Sequence, residues 1–170
     1  CEHCSKNQGT QGIMNSVLIA LTIFLYLLAA GLLIKRLASG IEARAGTRHA
    51  AVVAGLLAAA LHAVTVYGTV VVEGGLNLSF FIALSFTSLV AVILILLSAL
   101  RQPTENLGIA VFPFAAMSIL LNAYTGAHGV LLSSVSTGLQ THILISIVSY
   151  SLLTLAALQA ILLAIQNKKL

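Results

Sequence analysis

Five histidines, two cysteines, four glutamates and no aspartate are the side chains on which this 170-residue chain could build chemistry. His62 stands apart from the rest. It lies in the middle of an uncharged stretch, 49–72, with Thr65 and Thr69 after it at i+3 and i+7 and with Ala58 and Gly55 extending the same helical face. A neutral imidazole in such a setting serves either as a metal or haem-iron ligand or as a hydrogen-bonding link between helices, and both readings stand on the residues alone. His142 opens a second polar face, continued by Ser146, Ser149 and Tyr150 at i+4, i+7 and i+8. An imidazole there suits a metal or haem ligand, and the simpler reading is an amphipathic residue at a membrane boundary. His128, close to Gly126 and Gly129, reads as a solvated loop residue, and His49 as a helix-end cation.

The N-terminal Cys1-Glu2-His3-Cys4 has the Cys-x-x-Cys spacing of zinc, redox and haem-attachment motifs. Covalent haem attachment needs a histidine directly after the second cysteine, and Ser5 occupies that place. Zinc would need further ligands, and a lipid anchor on Cys1 would need an upstream signal. Residues 1–13 therefore read as an extension ahead of Met14, with the membrane domain spanning 14–170. Nothing in the chain matches a phosphate-binding loop or an HExxH zinc motif, and without aspartate there is no Ser-His-Asp set. No enzymatic activity is expected. Ion-driven transport usually leaves a carboxylate inside a span, and none of Glu2, Glu42, Glu73 and Glu105 falls in one.

The elements that must position these residues follow from composition. The chain is 59% hydrophobic and 7% charged, with a mean hydropathy of +1.08, against about 25% charged residues in soluble domains. Charge-free stretches cover 7–34, 49–72, 74–100 and 106–167. At roughly 20 apolar residues per crossing, the first three hold one span each and the last holds two. The long apolar runs lack the alternation of a membrane barrel, so the expected fold is all-α, a polytopic bundle of five transmembrane helices. The spans are expected near 16–34, 49–72, 78–100, 107–124 and 139–165, with Glu73-Gly74-Gly75 as a turn and 125–138 as a loop. Pro113 falls inside the fourth helix. Beside it, Ser118, Asn122 and Thr125 form a polar stripe suited to interhelical hydrogen bonding.

Lys35, Arg36, Arg44, Arg48, Arg101, Lys168 and Lys169 all fall on one side of such a bundle and only Lys6 on the other. That bias predicts an exoplasmic N-terminus and a cytoplasmic C-terminus. It also explains the net charge of +4 without any nucleic-acid partner.

Several segments resemble the cytochrome c assembly family of CcsA/HemX type, most closely its YpjD-type bacterial inner-membrane members. The resemblance covers about 14–170. It rests on Leu61-His62-Ala63, on the run from Asn77-Leu78-Ser79 to Phe86, on Thr141-His142-Ile143 with Ser149-Tyr150 following, and on the closing Asn167-Lys168-Lys169-Leu170. It implies a multi-pass inner-membrane protein that handles haem in cytochrome c-type biogenesis, with His62 and His142 as haem-binding residues and with the bilayer, haem and other cytochrome c maturation proteins as partners. It further implies more spans beyond Leu170 and a Trp-rich exoplasmic segment there, the present 170 residues having no Trp. A membrane regulator of haem synthesis and a small-solute transporter subunit are the competing expectations.

Overall fold

The computed structural model describes residues 2–38, 45–72, 75–99, 107–125, 130–132 and 136–167. Of the residues singled out above, Cys1, Glu42, Arg44, Glu73, Gly74, Arg101, Glu105, Gly126, His128, Gly129, Lys168, Lys169 and Leu170 lie outside the described residues. Five helices account for most of the chain: α1 (Glu2–Ala38), α2 (Ala45–Val70), α3 (Phe80–Ala99), α4 (Gly108–Thr125) and α5 (Thr137–Asn167). Each contains a stretch long and apolar enough to cross a bilayer, from 18 residues in α4 to 25 in α1 and α2. At 1.5 Å per residue these reach about 27–38 Å, which matches a hydrocarbon core of about 30 Å.

The outside of the bundle is as apolar as its core. Large apolar side chains such as Phe24, Leu57, Phe80, Leu97 and Leu153 point outward, while the interior combines Ile82, Leu89, Val92, Ile95 and Phe112 with small residues such as Ala29, Ala58, Ala91 and Ala115 and with Thr22, His62, Ser85, Ser88, Ser118 and Ser151. Small residues let helix backbones approach closely, and hydroxyls bond across helices where lipid offers no competing partner. The chain is a multi-pass membrane protein.

Helices α1, α2, α3 and α4 close into a ring, with α1 packed on α2 and α4, and α3 on α2 and α4. α5 lies outside, chiefly against α3. Only 12% of its span is buried, compared with 44% of that of α3, so α5 is peripheral. At one end of the ring the Arg48 guanidinium donates to the carbonyl of Ala99 at 2.8 Å, a cation meeting the negative C-terminus of α3.

The opposite end carries an element that sequence reading did not anticipate. β1 (Val71–Val72), β2 (Gly75–Leu78) and β3 (Val130–Leu132) form a small antiparallel sheet in that order, with Val71 opposite Leu76 and Asn77 opposite Leu131. Residues 71–72 and 78 were expected to be helical and 130–132 to be loop. Where spans leave the bilayer, backbone groups need partners, and the short apolar segments supply them to one another. Ser79 then caps α3, its hydroxyl accepting from Ile82 N at 3.2 Å. Ser136 caps α5 in the same way through Leu139 N at 3.4 Å. The first helix also starts earlier than expected, at Glu2 rather than near Ser16. No proline interrupts 2–15, so the polar onset marks where the span begins and not where the helix does.

Candidate functional site

His62 sits on α2 between Ala58 and Val66, and no part of it is exposed. Both of its ring nitrogens are engaged. Nδ1 lies 3.1 Å from the Tyr26 hydroxyl on α1, and Nε2 lies 3.0 Å from the Ser85 hydroxyl on α3. The imidazole therefore joins three helices.

Donor counting assigns the tautomer. Two contacts serve three protons, those of Tyr26, Ser85 and the imidazole, so one hydroxyl proton is left over; Ser85 borders a cleft and the fully buried Tyr26 does not, so the Tyr26 proton goes to Nδ1. Stranding a buried donor would cost about 1–3 kcal/mol. Nε2 then carries the imidazole proton and donates it to Ser85 Oγ, which leaves the Ser85 hydroxyl proton free to donate elsewhere.

The apolar side of this network is equally specific. The Tyr26 ring stacks on Phe112 of α4, with centroids 5.8 Å apart and planes 26° from parallel. Phe112 in turn fills a notch left by two glycines. A Cβ on Gly55 would stand 3.0 Å from Phe112 Cζ, and one on Gly108 would stand 2.9 Å from both Phe112 Cε2 and Leu33 Cδ1. Of the small face read on sequence, Gly55 lies against Phe112 of α4 and Leu96 of α3, and Ala58 is fully buried.

The polar stripes divide. Ser118 meets Ser88 across α3 and α4 at 2.6 Å, as interhelical bonding requires. Thr125 instead bonds back to Leu121 O at 2.8 Å within its own helix. Asn122 lines a cleft of about 180 Å³ together with Ile19, Thr65, Thr69, Ser85, Ile119 and Ala123. The threonine stripe below His62 faces the same cleft. Their hydroxyls donate to their own helix, Thr65 to His62 O at 2.7 Å and Thr69 to Val66 O at 3.0 Å, which leaves their lone pairs as acceptors.

His142 is elsewhere. α5 meets the bundle through Ile147 and Ser151, both buried, and the Ser151 hydroxyl reaches Thr87 O at 3.0 Å. His142 precedes Ser151 by nine residues, about half a turn round the helix. Its imidazole is exposed, and Ser149 on its face bonds only to Ile145 O of the same helix. His62 and His142 are thus in separate surroundings, one inside the ring and one on the outer face of α5.

No family model matches the chain. Neither does any curated protein or solved structure.

The two histidines differ in their fitness for haem. The cleft beside His62 is smaller than the roughly 300–1,000 Å³ of pockets that take drug-sized ligands. Iron could be ligated there only after Tyr26 released Nδ1 or Ser85 released a deprotonated Nε2. At His142 nothing among the described residues blocks either nitrogen, and exposed Leu139, Ile145 and Tyr150 provide an apolar flank. No group of three or more His, Cys, Asp or Glu able to hold a metal ion occurs among the described residues.

Proposed function

We propose that the chain is an integral membrane haem-handling component of cytochrome c-type biogenesis in the bacterial inner membrane, and that it presents haem with the His142 imidazole on the outer face of α5. The observation that carries this reading is an exposed histidine flanked by exposed Leu139 and Ile145, half a turn from the contact with α3. A porphyrin is a flat apolar ring whose iron takes a neutral imidazole nitrogen as axial ligand. Such a face supplies both contacts, and the resemblance in Thr141-His142-Ile143 with Ser149-Tyr150 points the same way. His62 serves this function from within, by fixing α1, α2 and α3 against one another.

In this role the protein holds and passes on haem without transforming it. The other maturation proteins of the pathway are its partners, and the sheet end faces the exterior, as the distribution of lysine and arginine implies. The small-solute reading has less support. The cleft is lined by no carboxylate or cation, and the ring is filled beyond it by Tyr26, Phe112 and Ala58.

The test is haem titration of the protein in lipid nanodiscs, followed by absorbance. A Soret band that is lost or strongly weakened in His142→Ala and kept in Ser149→Ala supports the proposal. A wild-type protein without a Soret band, or a band indifferent to His142→Ala, removes it.

A further inference from the structure

The cleft of about 180 Å³ among α1, α2, α3 and α4 is not used by the haem reading. Thr69, Asn122 and Ala123 stand within a turn of the C-terminal ends of α2 and α4, where the sheet lies, so the cleft opens toward that end. Inward it reaches Ser85, one hydrogen bond from His62.

Its polar groups lack partners in a particular way. The two contacts of His62 leave one hydroxyl proton of Tyr26 or Ser85 without an acceptor among the described residues, and of the two only Ser85, 2% exposed, lines the cleft. No described hydrogen bond involves the Asn122 carboxamide, which contributes two donors and an acceptor. Thr65 and Thr69 add acceptor lone pairs. A buried hydroxyl without an acceptor is costly in a bilayer interior, and the usual remedy is ordered water. The space far exceeds the roughly 10–15 Å³ that one water needs. Nothing charged lines it, so an ion would enter without compensation. By contrast, the void at the other end of the ring, beside Leu33, Ile95 and Phe112, is about 10 Å³ and apolar.

We propose that the cleft is a water-filled vestibule, its waters bound by the Ser85 hydroxyl and the Asn122 carboxamide, which places the buried His62 network in contact with water from the sheet end of the membrane. This does not depend on haem.

Hydroxyl radicals generated from water by X-ray pulses label side chains beside bound water, so the wild-type chain in nanodiscs provides the test. Ile119 lines the cleft and is 3% exposed, while Ile95 at 3% and Ile82 at 0% are equally buried and do not line it. Oxidation of Ile119 at least several-fold faster than that of Ile82 and Ile95 is expected, and Asn122→Leu, which replaces the water-binding carboxamide with carbon, should bring Ile119 down to their level. Equal rates at all three isoleucines in the wild type overturn the proposal, as does fast labelling of Ile119 that survives Asn122→Leu.

Discussion

The Tyr26 hydroxyl and His62 Nδ1 meet at 3.1 Å across 36 residues of chain, and their rings stand edge to face at 84°. That contact ties α1 to α2 at the level where α3 also arrives through Ser85.

Removing only the hydroxyl isolates its worth. Tyr26→Phe keeps the stack on Phe112 and is expected to cost about 0.6–1.7 kcal/mol, the range for interhelical hydrogen bonds in membrane bundles. His62→Ala removes two bonds and a buried ring and should cost about 2–5 kcal/mol. Because the partners share one network, the double variant should fall short of the sum. Unfolding in mixed detergent micelles measures all three, and strict additivity would contradict the network.

Gly108 is expected to resist substitution for steric reasons. Gly108→Ala drives a methyl to 2.9 Å from Leu33 Cδ1 and from Phe112 Cε2, which should destabilise by about 1–3 kcal/mol as overpacking does. Phe112→Leu in the same chain should restore part of the loss. Gly31→Ala, with nothing within 4 Å, serves as the control and should stay within about 0.5 kcal/mol of the parent.

The two serines at the α3–α4 contact have three hydrogen-bonding contacts and only two protons, so they share them among Ser85 O, Ala115 O and each other. Each hydroxyl keeps a carbonyl partner when the other is deleted. Ser88→Ala, Ser118→Ala and the double variant should therefore each cost less than about 1.5 kcal/mol, with no orphaned group in any of them. A single variant far worse than the double would show that the carbonyl bonds do not suffice.

Orientation is open to direct measurement. In a chain lacking Cys1 and Cys4, a cysteine at Thr125 should react with a membrane-impermeant maleimide from the exterior, and a cysteine at Ala38 only after the membrane is permeabilised. Lys35 and Arg36 sit in the last turn of α1 on the side predicted to be cytoplasmic. The reverse labelling pattern would invert the topology.

Much of this was legible in the residues. The charge-free stretches located the spans to within a few positions, and His62 was identified as the deep polar group with small residues on its face. Its partners were not readable, because Tyr26 and Ser85 are ordinary span residues that become meaningful only when α1 and α3 are placed beside α2. The sheet escaped notice because its strands are two to four residues long and show no period. Ser79, directly ahead of an apolar run, and Ser136, three residues ahead of Leu139, were signals of helix onset that hydropathy alone passes over.

The one-sided seating of α5 bears on how the molecule is made. Synthesis proceeds from the N-terminus, and the closed contacts among α1, α2, α3 and α4 do not need α5. The first four spans can thus assemble while the fifth is still leaving the ribosome, with α5 joining last through Ile147 and Ser151. Since β3 precedes α5 and pairs with β2, the strand next to α3, the last helix arrives already tethered at one end, and its remaining task is to settle along α3 rather than to search the plane of the membrane for it.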